Sequence, residues 1–205
     1  NPDIDAKTHQ KIMTGKAENK FGIPITLAQE VYQMARDLKG ISIVGVDMHI
    51  GSQITDLIPF QKAFNKTADL VHSLRNVGHN IKRVDIGGGL GISYSRGQAD
   101  PISSEDFSNM LLSIFGDMDV EIQIEPGRYI SGNAGLLISS VIFLKEGSDR
   151  NFLIIDAGMN DLIRPALYEA QHDFMPVESN QNKGAKIEVD IVGPICESSD
   201  IFSKN

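Results

Sequence analysis

Several short stretches of this 205-residue chain carry side chains whose types and spacing can do chemistry. Glu125-Pro126-Gly127-Arg128 follows the apolar run 120–124. A carboxylate at a strand end can hold a ring nitrogen protonated, and an adjacent Arg can grip a phosphate or a substrate carboxylate. A strand-ending turn with a surface ion pair would read the same way. Asp85-Ile86-Gly87-Gly88-Gly89-Leu90-Gly91 is a glycine run whose backbone N–H groups can converge on a phosphate as an anion nest; a flexible turn is the alternative. It lacks GxGxxG spacing and an opening helix, which disfavours NAD. His49-Ile50-Gly51-Ser52-Gln53 offers an imidazole to stack on a planar ring and a hydroxyl to donate to a phosphate. Downstream, Arg164 and Tyr168 can bind an acidic substrate or form a domain-interface hydrogen bond. Cys196, in a Gly-Pro turn beside Glu197, is either a small buried hydrophobe or an acid. No His/Cys/Asp/Glu grouping has metal-ligand spacing, and there is no nucleophile elbow, so no metal is expected.

Strands must position these groups. Residues 43–50, 84–87 and 120–125 read as strands from their β-branching and alternation. Their polar termini His49, Gly87 and Glu125 are 38 residues apart, 49 to 87 and 87 to 125. Helix-periodic stretches lie between them: Phe60, Phe64, Ala68, Val71 and Leu74, then Phe107, Met110, Leu111 and Ile114. Ser103 and Ser104 precede the second helix, with Glu105 and Asp106 in its first turn, as capping and the helix dipole favour. An earlier helix is expected from Leu27, Val31, Met34, Ala35 and Leu38 after Pro24.

Strand–helix units of this length suit a (β/α)8 barrel, whose units average about 31 residues; a doubly wound sheet competes. Alternation puts Asp47 and His49 on one face and Val46, Met48 and Ile50 on the other, as a barrel mouth requires. After residue 130 the pattern changes. Segments 136–144, 152–155 and 187–192 read as strands joined by turns and not by helices, and 178–184 as an exposed loop. The expected fold is α/β: residues 1–131 as part of a (β/α)8 barrel, and 132–205 as an incomplete β-rich domain.

Composition excludes other classes. A net charge of −8, with no Lys/Arg cluster, argues against nucleic acid. The lone cysteine excludes an intrachain disulfide framework and fits a reducing compartment. No apolar run approaches the roughly 20 residues that span a bilayer, and the N-terminus has neither signal- nor transit-peptide character. A cytoplasmic protein without membrane contact is expected. The chain opens without Met and reads as an internal portion of a longer protein.

Lys20-Phe21-Gly22-Ile23, His49 to Gln53, the glycine run, Glu125 to Arg128, Arg164-Pro165-Ala166-Leu167-Tyr168 and Gly193-Pro194-Ile195-Cys196-Glu197-Ser198 occur in this order along nearly the whole chain. The set resembles the diaminopimelate decarboxylases, pyridoxal-phosphate enzymes of the alanine-racemase-like barrel fold that make lysine from meso-diaminopimelate. The two downstream blocks are more specific to that branch than the glycine run, which ornithine and arginine decarboxylases share. The resemblance implies that Glu125 pairs with the pyridine nitrogen of pyridoxal 5'-phosphate and that His49 stacks on its ring. It implies that Ser52, Gly87, Gly88, Gly89 and the Gly127–Arg128 backbone hold the phosphate. Arg128, Arg164, Tyr168 and Glu197 would contact substrate. Cys196 would donate the proton, offered to the neighbouring subunit of a homodimer with active sites at its interface.

The resemblance also exposes a gap. Such enzymes bond the cofactor covalently through a lysine on the first barrel strand, in a Lys-Ala-Asn context. Lys7, Lys11, Lys16 and Lys20 precede the first repeat unit, and Lys62, Lys66 and Lys82 lie in or beside helices. Asn1-Pro2-Asp3 would mark the end of the fifth barrel strand, and the segment alone is expected to be inactive. Asp47 stands where the family often has His. The alternatives are an ornithine, arginine or carboxypolyamine decarboxylase of the same fold, and a non-catalytic relative lacking the lysine.

Overall fold

In the computed structural model, which describes residues 1–6, 8, 10–95, 101–178 and 186–204, three short strands lie side by side. They are β1 (Gly45–Asp47), β2 (Arg83–Asp85) and β3 (Glu121–Gln123), all parallel. Gly45 pairs with Arg83 and Arg83 with Glu121, so the 38-residue spacing is the register of the sheet. The ladder continues past the strand ends: the Met48 N–H donates to Asp85 O, Ile86 N–H to Gln123 O, and Glu125 N–H to Gly87 O at 2.8 Å. His49, Gly87 and Glu125 are therefore level.

Alternation sorts the two faces as expected. Val46, Met48, Ile50 and Val84 are buried under the helices. The opposite face carries Asp47, Asp85, Gln123 and the Arg83–Glu121 ion pair at 3.1 Å. Helix α2 (Leu57–Asn76) starts at Asp56, whose side chain accepts from the Ile58 N–H. Its Phe60, Phe64, Val71 and Leu74 are fully buried. Phe107 of α3 (Ser104–Phe115) meets Phe60 edge-on, with ring centroids 5.2 Å apart. Burying each such ring stabilises the fold by about 1.5–3 kcal/mol. Ser103 caps α3 by accepting from the Asp106 N–H. At the far end of α2, Arg75 donates to the carbonyls of Ile81, Met118 and Asp119. That staple ties together the chain entering β2 and β3, opposite the strand ends that carry His49 and Glu125.

Helix α1 (Ala28–Arg36) follows a 3-10 turn after Pro24, but the expected apolar stripe is not its buried side. Leu27, Met34 and Leu38 are exposed. The inward contacts come from Ala28, which is buried, and from Tyr32, whose hydroxyl donates to Gly45 O at 2.8 Å. Pro126 also departs from expectation. It does not merely end a strand; it is the N-cap of a short helix, α4 (Gly127–Ser131), because proline lacks the N–H that a helix start leaves free. Residues 1–6 form no strand.

The first compact unit, Asn1–Ile92 with Asp100–Gly135, contains all these elements; the second is Ser93–Ala99 with Leu136–Asn205. The second holds a sheet in the order β4 (Val141–Lys145), β5 (Phe152–Ile155), β6 (Asp190–Val192) and β7 (Ile201–Ser203), with β5 and β6 parallel and the other pairs antiparallel. Three expectations change here. Of the expected 136–144 strand only 141–144 forms, extended by Lys145; Leu136, Leu137 and Ile138 stay exposed. A helix, α5 (Arg164–Tyr168), interrupts the predicted turn, with Pro165 in its first turn, where proline is tolerated. Strand β7, too short to announce itself, places Phe202 in a small core with Ile155 and Ala157. Glu178 is exposed, whereas 179–184 of the expected loop, together with Lys7 and His9, lie outside the described residues.

Candidate active site

The parallel strands end in a hydrogen-bonded junction. Gly87 adopts φ +67°, a left-handed conformation suited to glycine, and its N–H donates to Asp85 Oδ1 at 2.8 Å. The Gly88 N–H donates to His49 Nδ1 at 3.2 Å. That nitrogen is therefore bare, and in the neutral imidazole the proton sits on Nε2. No space remains around these glycines. A Cβ on Gly87 would lie 2.5 Å from Met48 O, and one on Gly88 would run into Glu125 O. The chain after β1 is strapped to the same loop: Ile54 N–H donates to Gly89 O, and the Gln53 amide bonds both ways with the Ile92 backbone.

This narrows the expected anion nest. The N–H groups of Gly87 and Gly88, both buried, are engaged within the protein. Gly89 is half-buried. Glu125 and Gly127 are exposed, and Ser52 and Arg128 are half-buried. On the same face, loss of hydration and then the neighbouring Asp85 charge hold the Asp47 carboxyl above the usual carboxylate range.

In the second unit, Arg164 begins α5 with its guanidinium over the Tyr94 ring, 4.3 Å from the centroid. Its Nη1 lies 2.9 Å from His172 Nε2, and Tyr94 and His172 meet edge-on. Burial, and then the Arg164 charge, hold the His172 imidazole below its ordinary range. Tyr168, half-buried, closes the same helix. Cys196 is exposed, which removes its reading as a buried hydrophobe. Glu197 lies beside it, its Oε1 accepting from the Ser199 N–H and hydroxyl, both at 3.3 Å. At the end of β5, the Ser139 hydroxyl and the Ser140 N–H hold the Asp156 carboxyl below the usual range.

Residues 1–132 match the family described as pyridoxal-dependent decarboxylase, pyridoxal binding domain. The chain belongs to that family. It is 47% identical to a diaminopimelate decarboxylase of Aquifex aeolicus over 99% of this chain and 48% of that protein. It is 45% identical to one of Haemophilus influenzae over 100% of this chain and 49% of that protein. Among solved structures, a diaminopimelate decarboxylase from Helicobacter pylori complexed with L-lysine superimposes with a TM-score of 0.92 at 40% identity, over 100% of this chain and 50% of that one. An arginine decarboxylase from Paramecium bursaria Chlorella virus, at 19% identity and TM-score 0.84, shares the fold. The fold is thus that of the alanine-racemase-like barrel decarboxylases. The chain spans about half the length of the curated relatives it matches.

The first unit's donor set fits the family's cofactor in kind. It carries a carboxylate, an imidazole and a glycine junction too tight for a Cβ on Gly87 or Gly88, the kinds of group that could hold it. Among the described residues, no lysine lies at the C-terminal end of β1, β2 or β3. Asp85, Gln53, His172 and Tyr94 carry geometry to which sequence reasoning assigned no role. Asp85, which opens the glycine run, and Gln53, which closes the His49–Gln53 stretch, had a sequence signal.

Proposed function

We propose that the protein is a pyridoxal-phosphate-dependent carboxy-lyase that converts meso-diaminopimelate to L-lysine and CO2, the last step of lysine biosynthesis. The observation that carries this is the level placement of His49, the glycine junction and Glu125 at the ends of three parallel strands. Ligands of barrel folds bind at that end. The names of the 41–47% identical relatives support the choice of substrate.

Pyridoxal phosphate, when bound, supplies an electron sink for the charge left on Cα as CO2 departs. Glu125 would keep the ring nitrogen protonated, and His49, fixed by Gly88, would cover one ring face. The Gly89 N–H, the Ser52 hydroxyl and the Gly127–Arg128 backbone would hold the phosphate beside the tightly packed Gly87 and Gly88. Arg128 and Arg164 would grip the carboxylates of a substrate that has two. Tyr168 would help orient it, and Glu197 would take its distal ammonium. The Cys196 thiol would deliver the proton to Cα, a general-acid task. In this proposal residues 1–131 belong to the cofactor-binding barrel and 132–205 to the β-rich domain. The enzyme is a cytoplasmic homodimer with active sites at the subunit interface. Among the described residues, no helix is long and apolar enough to cross a membrane.

The test is decarboxylation of meso-diaminopimelate, ornithine and arginine by protein expressed from the complete reading frame. A clear preference for meso-diaminopimelate is expected, with no turnover by the 205-residue chain alone. Preference for ornithine or arginine overturns the substrate assignment. Failure to decarboxylate any of the three overturns the activity.

A further inference from the structure

Asp200 is a carboxylate at 3% exposure in the second unit, and no step above uses it. Its Oδ1 accepts from the Met159 N–H at 2.6 Å, and its Oδ2 accepts from the Ile195 N–H at 2.8 Å. Met159 lies in the turn between β5 and α5, just before Arg164. Ile195 lies in the loop between β6 and β7, directly before Cys196 and Glu197. One side chain thus joins the two segments that hold the downstream polar residues.

Other contacts converge on the same point. The Gly193 N–H donates to Asp200 O and the Asp200 N–H to Glu197 O, both at 3.0 Å, so the 193–200 loop closes on itself at Asp200. Gly193 must be glycine here, because a Cβ would run into both Asp200 carboxylate oxygens. Gly158 is constrained likewise: a Cβ there would lie 2.7 Å from Ile195 Cδ1, so the two segments are in direct contact. Ser199, which bonds Glu197 Oε1, also donates to Met159 Sδ at 3.7 Å. A buried carboxylate is strongly disfavoured unless such donors satisfy it, so both N–H bonds are tightly held.

We propose that Asp200 is the positioning residue that holds the Cys196–Glu197 tip in register with the Met159 turn leading to Arg164. This rests on the proposal that Cys196, Glu197 and Arg164 serve the reaction. Asp200 touches none of the reacting groups; it acts through two backbone amides.

In the wild-type chain, the Met159 and Ile195 amides should exchange with solvent at least 10-fold more slowly than exposed amides; exchange at the free rate overturns the proposal. Asp200→Asn keeps the shape but leaves one acceptor oxygen and turns an NH2 toward the other amide. We expect one of the two amides to exchange at least 10-fold faster and the Cys196 alkylation rate to change at least threefold. The amides of β5 should keep their protection. Gly193→Ala retains the charge but must displace the Asp200 carboxylate, and the same loop-confined pattern is expected. If both variants leave the two amides and Cys196 alkylation as in wild type, the proposal fails. It also fails if β5 loses protection as much as the loops do, since Asp200 is then merely structural. Decarboxylation by the complete protein is a separate readout. Loop effects in a protein without that activity refute the functional reading and leave the positioning role standing; loops unmoved in an active enzyme refute the positioning role.

Discussion

Replacing Gly88 with Ala places a methyl group against Glu125 O, well inside the 3.0 Å below which Cβ contacts are essentially never seen. The obstacle is backbone, so the strand end itself must move. Two hydrogen bonds lie in the way of that movement: Gly88 N–H to His49 Nδ1 at 3.2 Å and Glu125 N–H to Gly87 O at 2.8 Å. Each contributes about 0.5–1.5 kcal/mol, and forcing an extra methyl into a packed site costs about 1–3 kcal/mol. The expected loss is therefore about 2–6 kcal/mol, a large part of the 5–15 kcal/mol typical of whole domains. Urea unfolding followed by far-UV circular dichroism measures it. At a slope of about 1–3 kcal/mol per molar, the midpoint should fall by at least about 0.7 M. Two glycines serve as controls. Gly127 has open space at its Cβ and ordinary φ, so Gly127→Ala should be neutral or slightly stabilising. Gly78 also has open space but a φ of +91°, so Gly78→Ala should lose about 1–2 kcal/mol from conformation alone. If Gly88→Ala is as mild as Gly127→Ala, the junction is not tight, and the fixed relation of His49 to Glu125 falls with it.

Further outcomes follow from other parts of the molecule. Phe64→Ala should destabilise the first unit by about 3–5 kcal/mol in the same urea measurement, since Phe64 is fully buried between Phe60, Phe107 and Phe115; a loss below 1 kcal/mol would mean that this aromatic cluster is not the core. Ser103→Ala removes the cap of α3 and should lower stability by about 0.5–2 kcal/mol, with Ser103→Gly much milder; equal losses would point to the side-chain bond to Asp106 and not to capping. The His172 value is depressed in the folded chain, so the unfolded chain takes up its proton first as the pH falls through the ordinary value of 6.5. Stability from this group is thus complete above about 6.5 and declines below it until the folded value is passed. The NMR titration midpoint of His172 should lie below 6.5, and His172→Gln should flatten the decline in Tm just below that pH; a midpoint at or above 6.5 contradicts the burial of His172 beside Arg164.

Much of the first unit was legible in advance because parallel strands with helical crossovers leave a periodic trace. The recurrence of 38 residues is visible in one dimension, and a parallel sheet converts equal spacing directly into equal height. The Ser103 cap and the Phe60–Phe64 face are local in the chain and equally readable. In the second unit, β7 and α5 are each five residues or shorter and carry no period of their own. Their form depends on tertiary partners: α5 packs against β7, more than thirty positions away, and β7 takes its form from pairing with β6.

By itself, then, the sequence determined the residue types of the site, their order and the register that levels His49, Gly87 and Glu125. These follow from patterns of neighbouring residues and from family likeness. Tertiary structure alone decided which groups are already taken. It turned the Gly87 and Gly88 N–H groups inward to Asp85 and His49, set Tyr94 and His172 around Arg164, and made Asp200 the link between two loops. A buried polar group without a partner is costly, and some of the partners found here lie about forty positions away, as Met159 and Asp200 do.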